Sequence, residues 1–340
     1  MIDPQQTHIS FEELVAGLEG LLVGAGADPE IAAQLARNCA SCERDGTLSH
    51  GVFRMKGYLH SLTTGWASGT ARATVDRVSP AYIRIDGNNG FTQPALAQAL
   101  PEIESALADA GVAVVAVHDA HHTSAIWPDL EPYAERGWVA LGMIASGVLM
   151  IRPMGARSKM FSTNPIGFAT PVEGAPPVVF DFSTSSMSGG DLELHRRAGK
   201  RVPLGTGTDA NGELTEDPQA IVDEGGSLLP FGGHKGALLA MMIETLAAGL
   251  TGNQFSYEHD VERREAPGGA MTFRNGQLFI IIDPTRGGND AYAHRVAGFV
   301  EMMREGGMER LPGDRRYEAR ERSAREGIPV TDLMRELFAV

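Results

Sequence analysis

The spacing of hydrophobic and polar residues predicts helices at both ends of the chain. Ser10 begins a run with capping-box spacing, in which a hydroxyl residue precedes a glutamate by three positions, and the run continues to about Val23. Asp28 and Pro29 begin a second predicted helix, because proline is favoured near the first helical position. The chain from Asp290 onward is mainly charged with helical spacing and is predicted to be helical.

The middle of the chain contains short apolar runs of the length typical of buried strands. They lie at residues 81–87, 112–117, 138–144, 178–182 and 278–283. Between them, residues 93–110 predict a helix with a break near Pro101, and residues 235–250 predict a long apolar helix in the core. The order predicts an α/β (α+β) fold, with a helical domain built from residues 1–75 and 290–340 and a mixed domain from residues 76–289.

Composition and charge restrict the class of protein. The chain has 340 residues, of which 43% are apolar and 21% charged, as in an ordinary globular protein. Its formal net charge of −14 disfavours nucleic acid and anionic membranes as partners, although a local basic pocket can still bind an anion. No apolar run is long enough to span a membrane, and residues 1–5 lack a leader pattern. We therefore expect a cytoplasmic protein.

The two cysteines, Cys39 and Cys42, form a C-x-x-C pair within a predicted helix. No second pair is present to complete a zinc site, so no metal site is predicted. Two small buried thiols are the expected outcome, which fits a reducing compartment.

The segment from Arg44 to Arg54 contains the main candidate chemistry. Ser49 and His50 lie in a short loop after a predicted helix, and Arg54 follows His50 by four residues. Histidine gives or takes a proton near neutral pH, and a neighbouring hydroxyl can orient it. The guanidinium of Arg54 suits a carboxylate, and it shares a face with His50 if the segment opens a helix. These groups fit the reduction of a small carbonyl or imino acid; a capping serine, a structural histidine and a surface arginine are the alternative.

Three polar segments contain further residues that could bind a ligand. At residues 121–127, which follow a strand, the backbone amides of Thr123 and Ser124 can hold a phosphate, or the segment simply caps a helix. The turn at residues 162–165 can bind a carboxylate or a nicotinamide amide, or it is a plain turn. Residues 181–185 follow another strand, and Asp191 comes after two glycines in a flexible turn.

Two basic segments are candidate phosphate sites. Lys235 follows glycines that allow the backbone to approach a ligand closely. Arg310, Arg315 and Arg316 lie within seven residues and suit a 2′-phosphate, since arginine pairs with phosphate through two hydrogen bonds. A solvated face that pairs with nearby acids is the alternative. No G-x-G-x-x-G follows a strand, so a dinucleotide would bind on a scaffold other than a Rossmann fold.

Together these segments resemble the malate/L-lactate dehydrogenase family, whose members lack a Rossmann fold. The resemblance extends from the first helix to the arginine cluster and is strongest to the Δ1-piperideine-2-carboxylate/Δ1-pyrroline-2-carboxylate reductases, at residues 44–51, 126–129, 229–236 and 309–316. It implies a largely antiparallel nucleotide-binding sheet and a homodimer. It also implies reduction of small cyclic imino acids to L-pipecolate and L-proline, with NADPH as cofactor and NADH as a weaker one.

The same resemblance implies a role for each matching residue. His50 would donate the proton, with Ser49 and Asp191 as relay partners, and Arg54 and Thr163 would hold the substrate carboxylate. Four segments would line the NADPH site: His122, Thr123, Ser124, Ala125 and Ile126; Asp181, Phe182 and Ser183; His234 and Lys235; and Arg310, Leu311, Pro312, Gly313, Asp314, Arg315 and Arg316.

Two residues depart from the pattern of the imine reductases. Gly189 stands where they have a bulkier polar residue such as histidine, and Thr123 stands where phenylalanine or a similar residue is common. Both positions would lie near the substrate or the nicotinamide, so they bear on substrate identity more than on reaction class. The alternative function is a 2-hydroxyacid dehydrogenase, which reduces C=O with the same residues. A ligand-binding protein without turnover is a third possibility, which the intact candidate catalytic residues disfavour.

Overall fold

The computed structural model contains both helices and strands and describes residues 6–145, 147–266 and 268–339. The strands are β1 His8–Ile9, β2 Thr74–Ser79, β3 Tyr82–Phe91, β4 Val112–His121, β5 Val139–Ala145, β6 Ile166–Val172, β7 Ala175–Phe182, β8 Gly207–Thr208, β9 Leu214–Thr215, β10 Ser227–Leu228, β11 Arg274–Ile282 and β12 Ile328–Pro329. The α-helices are α1 Phe11–Gly24, α2 Pro29–Arg44, α3 Met55–Thr63, α4 Thr92–Ala110, α5 Trp127–Glu135, α6 Gly189–Arg197, α7 Pro218–Val222, α8 His234–Ile243, α9 Ser256–Glu265, α10 Tyr292–Glu305, α11 Asp314–Glu326 and α12 Asp332–Phe338. Short 3₁₀ turns span Leu48–His50, Val52–Arg54 and Pro284–Gly287, and a π-helix spans Glu244–Gly249.

The central sheet has seven strands in the order β2-β3-β4-β11-β5-β6-β7. All neighbouring strands run antiparallel except β3 and β4, which are parallel. The prediction of a mixed α/β fold with a largely antiparallel sheet is therefore confirmed. β3 and β4 extend past their apolar runs to Phe91 and His121, because the two strands pair again at Gly90 and Phe91 after an irregularity between Asp86 and Gly90.

Both faces of the sheet are covered. On one face, alternate residues of β3 and β4 pack with Phe279 against α4 and α5, where Ile103 and Trp127 are fully buried. On the other face, Met143 and Leu278 pack against Ala247 of the π-helix. The sheet is thus the middle layer, and its strand ends are held in place from both sides.

Two helix predictions differ from the structure. α4 continues through Pro101 without a break, because the exposed proline lies on the solvent side while Ala99 and Ile103 pack against the sheet. The segment predicted as one core helix over residues 235–250 is α8 followed by the π-helix, and its outer face is not in the core. Leu238 is 57% exposed and Met241 is 50% exposed.

Both ends of the chain meet in a second core. β1 pairs with β12, with Ile9 opposite Ile328, and apolar residues of α1 and α2 pack with Met334 and Phe338 of α12. α10 lies against β6 instead, where the hydroxyl groups of Tyr292 and Thr170 are 3.0 Å apart. The exact division into two domains stays a prediction.

The cysteines and the helix lengths agree with the sequence. Cys39 and Cys42 are free thiols that are buried, as predicted. Among the residues described by the structure, no helix combines the length and apolar character that crossing a bilayer requires. The N-terminal segment without a leader pattern, residues 1–5, lies outside the described residues.

Candidate active site

A cleft of about 1500 Å³ brings together residues that are far apart in the sequence. Ser49, His50 and Arg54 line it from the loop after α2, Thr163 lines it from the turn before β6, and Asp191 lines it from α6. All five residues predicted for proton transfer and substrate binding therefore face one space. The cleft is also large enough to hold a ligand of dinucleotide size.

The loop with Ser49 and His50 forms two successive 3₁₀ turns rather than the start of a helix. The backbone N–H of His50 donates to the Thr47 carbonyl, and that of Arg54 donates to the Gly51 carbonyl, each at 2.9 Å. The Ser49 hydroxyl lies 3.0 Å from Nδ1 of His50 and can orient the ring. The short turns therefore bring His50 and Arg54 to the cleft without a shared helical face.

Arg54 is partly buried in the wall of the cleft, and burial lowers the pKa of its guanidinium. Its Nε atom is buried and has no hydrogen-bond partner among the described residues. A Cβ on Gly190 would lie 2.9 Å from Nη2 of Arg54, so a glycine is needed for the guanidinium to sit there. An oriented guanidinium with an unpaired donor suits an anionic ligand such as a carboxylate.

The pKa of His50 lies well below its ordinary value. Burial is the main cause, and the positive charge of Arg54 and the neighbouring His122 lower it further. At neutral pH the unliganded site therefore favours neutral His50. A carboxylate bound at Arg54 would offset the positive charge and make protonation of His50 easier.

Asp191 lies in the first turn of α6, where its backbone N–H donates to the Ser188 hydroxyl at 3.0 Å. Its side chain is exposed in the cleft and acts on the pKa of Arg54, which its charge raises. Within the described chain, its carboxylate makes no hydrogen bond to Ser49 or His50. The serine–histidine part of the predicted relay is thus in contact, and Asp191 lines the same cleft without a hydrogen bond between its carboxylate and either residue among the described residues.

Gly189, one of the two departures from the imine reductase pattern, lies beside Met150. A Cβ at Gly189 would be 3.1 Å from the Met150 sulfur and 3.9 Å from the Thr163 methyl group. The space next to Gly189 is thus occupied by the flexible Met150 side chain, and both residues lie beside the predicted carboxylate site.

The histidine turn at residues 121–127 is held by the carboxylates of Asp129 and Asp181. His122 Nε2 and Asp129 Oδ2 are 2.6 Å apart, and both side chains are almost fully buried. Oδ2 of Asp181 accepts the backbone N–H groups of Ile126 at 2.7 Å and Trp127 at 3.2 Å. Burial raises the pKa of Asp181, and its hydrogen bonds partly offset that effect. The backbone N–H groups at the start of α5 therefore already donate to the carboxylate of Asp181.

The arginine cluster divides into two kinds of residue. Arg316 lies over the Trp127 ring at 4.8 Å and donates to the Val179 carbonyl, so it packs against the protein. Arg310 and Arg315 are exposed, line the cleft and form no ion pair within the described residues. Asp314 pairs with Arg304 at 3.2 Å, so it does not neutralise them. Two free guanidinium groups at the cleft suit a phosphate.

Most of the predicted cofactor residues line the cleft, and three do not. His122, Thr123, Ser124, Ala125, Ile126, Asp181, Phe182 and Ser183 are in its wall, as are Arg310, Leu311, Pro312, Gly313, Arg315 and Arg316. Asp314, His234 and Lys235 are outside this lining. The last two are exposed at the start of α8, directly after Gly233, and their role in cofactor binding stays a prediction.

The cleft is also lined by residues that the sequence analysis did not single out, among them Met150, Arg263, Phe273 and Asn275. Arg263 lies in a strongly polar helix, which is the pattern of a solvent-exposed face. Asn275 lies at a bulge in β11, where the register with β4 shifts between Asn275 and Gln277. The position of Asn275 has no sequence motif, because it depends on how β11 pairs with its neighbour.

A family model described as malate/L-lactate dehydrogenase matches residues 9–337, almost the whole chain. The chain belongs to the malate/L-lactate dehydrogenase family. The predicted resemblance is thereby confirmed.

Within this malate/L-lactate dehydrogenase family, the chain is similar to proteins of known name. It is 48% identical over 327 residues to a Δ1-pyrroline-2-carboxylate/Δ1-piperideine-2-carboxylate reductase from Pseudomonas syringae pv. tomato, covering 96% of this chain and 94% of that protein. The crystal structure of a Δ1-piperideine-2-carboxylate reductase from the same organism superimposes with a TM-score of 0.93 at 46% identity, covering 98% and 99% of the two chains. A dehydrogenase from Sinorhizobium meliloti superimposes with a TM-score of 0.85 at 26% identity, covering 98% and 97%.

The exposed guanidinium of Arg315 generates a prediction about cofactor choice. Arg315→Ala should weaken NADPH binding about ten- to a hundredfold, since a hydrogen bond to a charged group contributes about 1.5–3 kcal/mol. The affinity for NADH should stay nearly unchanged, because NADH lacks the 2′-phosphate. Dissociation constants for both cofactors, measured by nucleotide fluorescence, test this.

Arg325→Ala is the matched control, because Arg325 is exposed on the same helix and does not line the cleft. Arg316→Ala should weaken both cofactors, since it removes packing against Trp127. Equal losses for NADH and NADPH in Arg315→Ala, or no loss for either, would contradict the phosphate-site assignment.

Proposed function

We propose that this chain is an NADPH-dependent reductase of small cyclic imino acids, which converts Δ1-piperideine-2-carboxylate to L-pipecolate and Δ1-pyrroline-2-carboxylate to L-proline. The observation that supports this best is Arg54, a guanidinium in the cleft wall with an unpaired buried donor, in the same cleft as His50. A substrate with a carboxylate next to a C=N bond places one group at each of them. The names of the similar reductases support the same substrate class.

The residues of the cleft fit a nicotinamide cofactor, because Arg310 and Arg315 offer unpaired positive charge on a protein whose formal net charge is −14. When bound, the cofactor supplies the hydride for reduction. Arg54 and Thr163 hold the substrate carboxylate, which fixes the orientation of the ring. His50 then donates a proton to the imine nitrogen, and Ser49 orients the His50 ring.

The test of this function is a turnover screen with NADPH. We expect the five- and six-membered cyclic imino acids to be reduced with a higher kcat/KM than pyruvate or oxaloacetate. A preference for the keto acids would instead support a 2-hydroxyacid dehydrogenase. The absence of turnover with every substrate would support a ligand-binding protein.

We also infer that the protein is a homodimer. α8 and α9 present large apolar side chains to solvent: Leu238 is 57% exposed, Met241 50%, Tyr257 57% and Val261 54%. Exposed large apolar residues on successive helices are typical of a surface that is covered in an assembly. Light scattering of the purified protein should give twice the chain mass, and the mass of a single chain would contradict the inference.

His50→Ala should lower kcat by about two to four orders of magnitude, because the proton that completes the reduction loses its donor. NADPH should still bind, since His50 is not among the residues predicted for the cofactor. Stopped-flow turnover and nucleotide fluorescence measure the two effects separately. His294→Ala serves as control, because His294 is exposed and pairs only with Glu173 among the described residues. Near-normal turnover of His50→Ala would remove His50 from the mechanism.

Arg54→Lys should raise the KM for the imino acid markedly, since lysine keeps the charge and loses the two parallel hydrogen bonds. Arg54→Ala should raise it further. Arg72→Lys is the control, because Arg72 is exposed and pairs with Glu30. A normal KM in both Arg54 variants would place the carboxylate anchor elsewhere.

Arg54→Ala should also change the pH dependence of kcat/KM. Reduction needs protonated His50, so kcat/KM is highest below the pKa of His50 and falls as the pH rises through it. After burial, the charge of Arg54 is the next cause of the lowered pKa. Arg54→Ala should therefore raise that pKa and move the fall in kcat/KM to higher pH.

A further inference from the structure

A buried carboxyl group lies beneath the turn that joins His50 to Arg54. Glu43, in the last turn of α2, is 7% exposed, and its Oε2 atom accepts the backbone N–H of Val52 at 2.9 Å. Among the described residues, it has no ion-pair partner. Its principal contact is thus with the backbone of the catalytic loop.

Gly51 lies in close contact with the carboxyl group of Glu43. A Cβ at Gly51 would lie 2.2 Å from Oε2 of Glu43 and 3.0 Å from its backbone nitrogen. The φ of Gly51 is −87°, outside the left-handed region, and the close approach of Glu43 is the contact that calls for a glycine. The glycine that follows His50 in the sequence is therefore explained by its contact with Glu43.

The dipeptide held by Glu43 lies directly between the two functional side chains. The carbonyl of Gly51 accepts the N–H of Arg54 at 2.9 Å, and the N–H of Val52 is the one bound by Glu43. A shift of this peptide would move His50 on one side and Arg54 on the other. Displacements of about 1 Å at such groups can reduce catalysis about a hundredfold.

We propose that Glu43 is a positioning residue, which fixes His50 relative to Arg54 by holding the Gly51–Val52 peptide. The proposal rests on the roles assigned above to His50 and Arg54. Glu43 does not touch the substrate; it acts through the backbone that bears both groups.

The free-energy cost of burying the Glu43 carboxyl group supports a specific role for its hydrogen bond to the loop. Burial raises the pKa of Glu43 to about 7, and the hydrogen bond from Val52 offsets only part of that effect. A buried apolar residue would avoid this cost, but it could not accept the N–H of Val52. An amide oxygen could, which makes glutamine the conservative replacement.

The test compares Glu43→Ala with Glu43→Gln. Glu43→Ala should lower kcat/KM about 10- to 100-fold, with changes in both kcat and the KM for the imino acid, because His50 and Arg54 both shift. Its dissociation constant for NADPH should stay within about twofold, since the cofactor residues lie on other segments. Glu43→Gln should retain kcat/KM within about threefold, because its amide oxygen still accepts the N–H of Val52.

Glu13→Ala is the matched control. Oε2 of Glu13 accepts the backbone N–H of Ser10 at 2.9 Å, so the substitution removes the same kind of bond at α1, away from the cleft lining. It should leave kcat and KM unchanged. Wild-type kinetics in Glu43→Ala would overturn the proposal, and so would equal impairment of Glu43→Gln and Glu43→Ala, which would make the charge and not the hydrogen bond the relevant property.

Gly51→Ala keeps the proposal testable if Glu43→Ala does not fold. Its methyl group should displace the Glu43 side chain and lower kcat/KM about 10- to 100-fold, and Gly51→Ala combined with Glu43→Gln should show no rescue, because the amide occupies the same space. Wild-type kinetics in Gly51→Ala would contradict the close fit. These comparisons use whichever substrate the wild-type protein reduces, so failure of the imino acids in the screen refutes the proposed function and leaves the test of Glu43 intact.

Discussion

The positive charge of Arg54 in the wall of the cleft is the constraint on which the rest of the site depends. Its guanidinium is partly buried, its Nε atom has no partner among the described residues, and burial lowers its pKa. The same charge helps to lower the pKa of His50. An anion bound at Arg54 would raise the pKa of both Arg54 and His50. Binding of a carboxylate and protonation of His50 are therefore electrostatically linked.

The surrounding structure keeps this arrangement from relaxing. Gly190 leaves room for the guanidinium, and the contact between Glu43 and Gly51 fixes the turn beneath it. The loop itself begins at Asp45, whose fully buried carboxylate is bound by Arg320 of α11. Helices from both ends of the chain thus meet at the loop. A buried ion pair of this kind adds little net stability, but losing one partner is costly, which makes the junction intolerant of displacement.

Local sequence signals were reliable where a residue's own neighbours decide the conformation. The capping box at Ser10 begins α1, and the buried thiols of Cys39 and Cys42 lie in a helix as predicted. The local sequence signals were wrong where packing between distant parts of the chain decides the conformation. Pro101 does not break α4, because the sheet holds the buried side of the helix. The apolar run of α8 is half exposed, because only one of its faces meets the sheet.

The sequence by itself determined the mixed fold, the family and the residue types needed for proton transfer, carboxylate binding and phosphate binding, since motifs and periodicity are local properties. Only the tertiary structure decided which of these groups meet. It separated the exposed Arg315 from Arg316, which packs on Trp127, and it joined Glu43 to the turn at Gly51. It also brought Asn275 into the cleft through a strand bulge. Such contacts depend on the packing of distant elements, and burial and pairing then set the charge and orientation of each group.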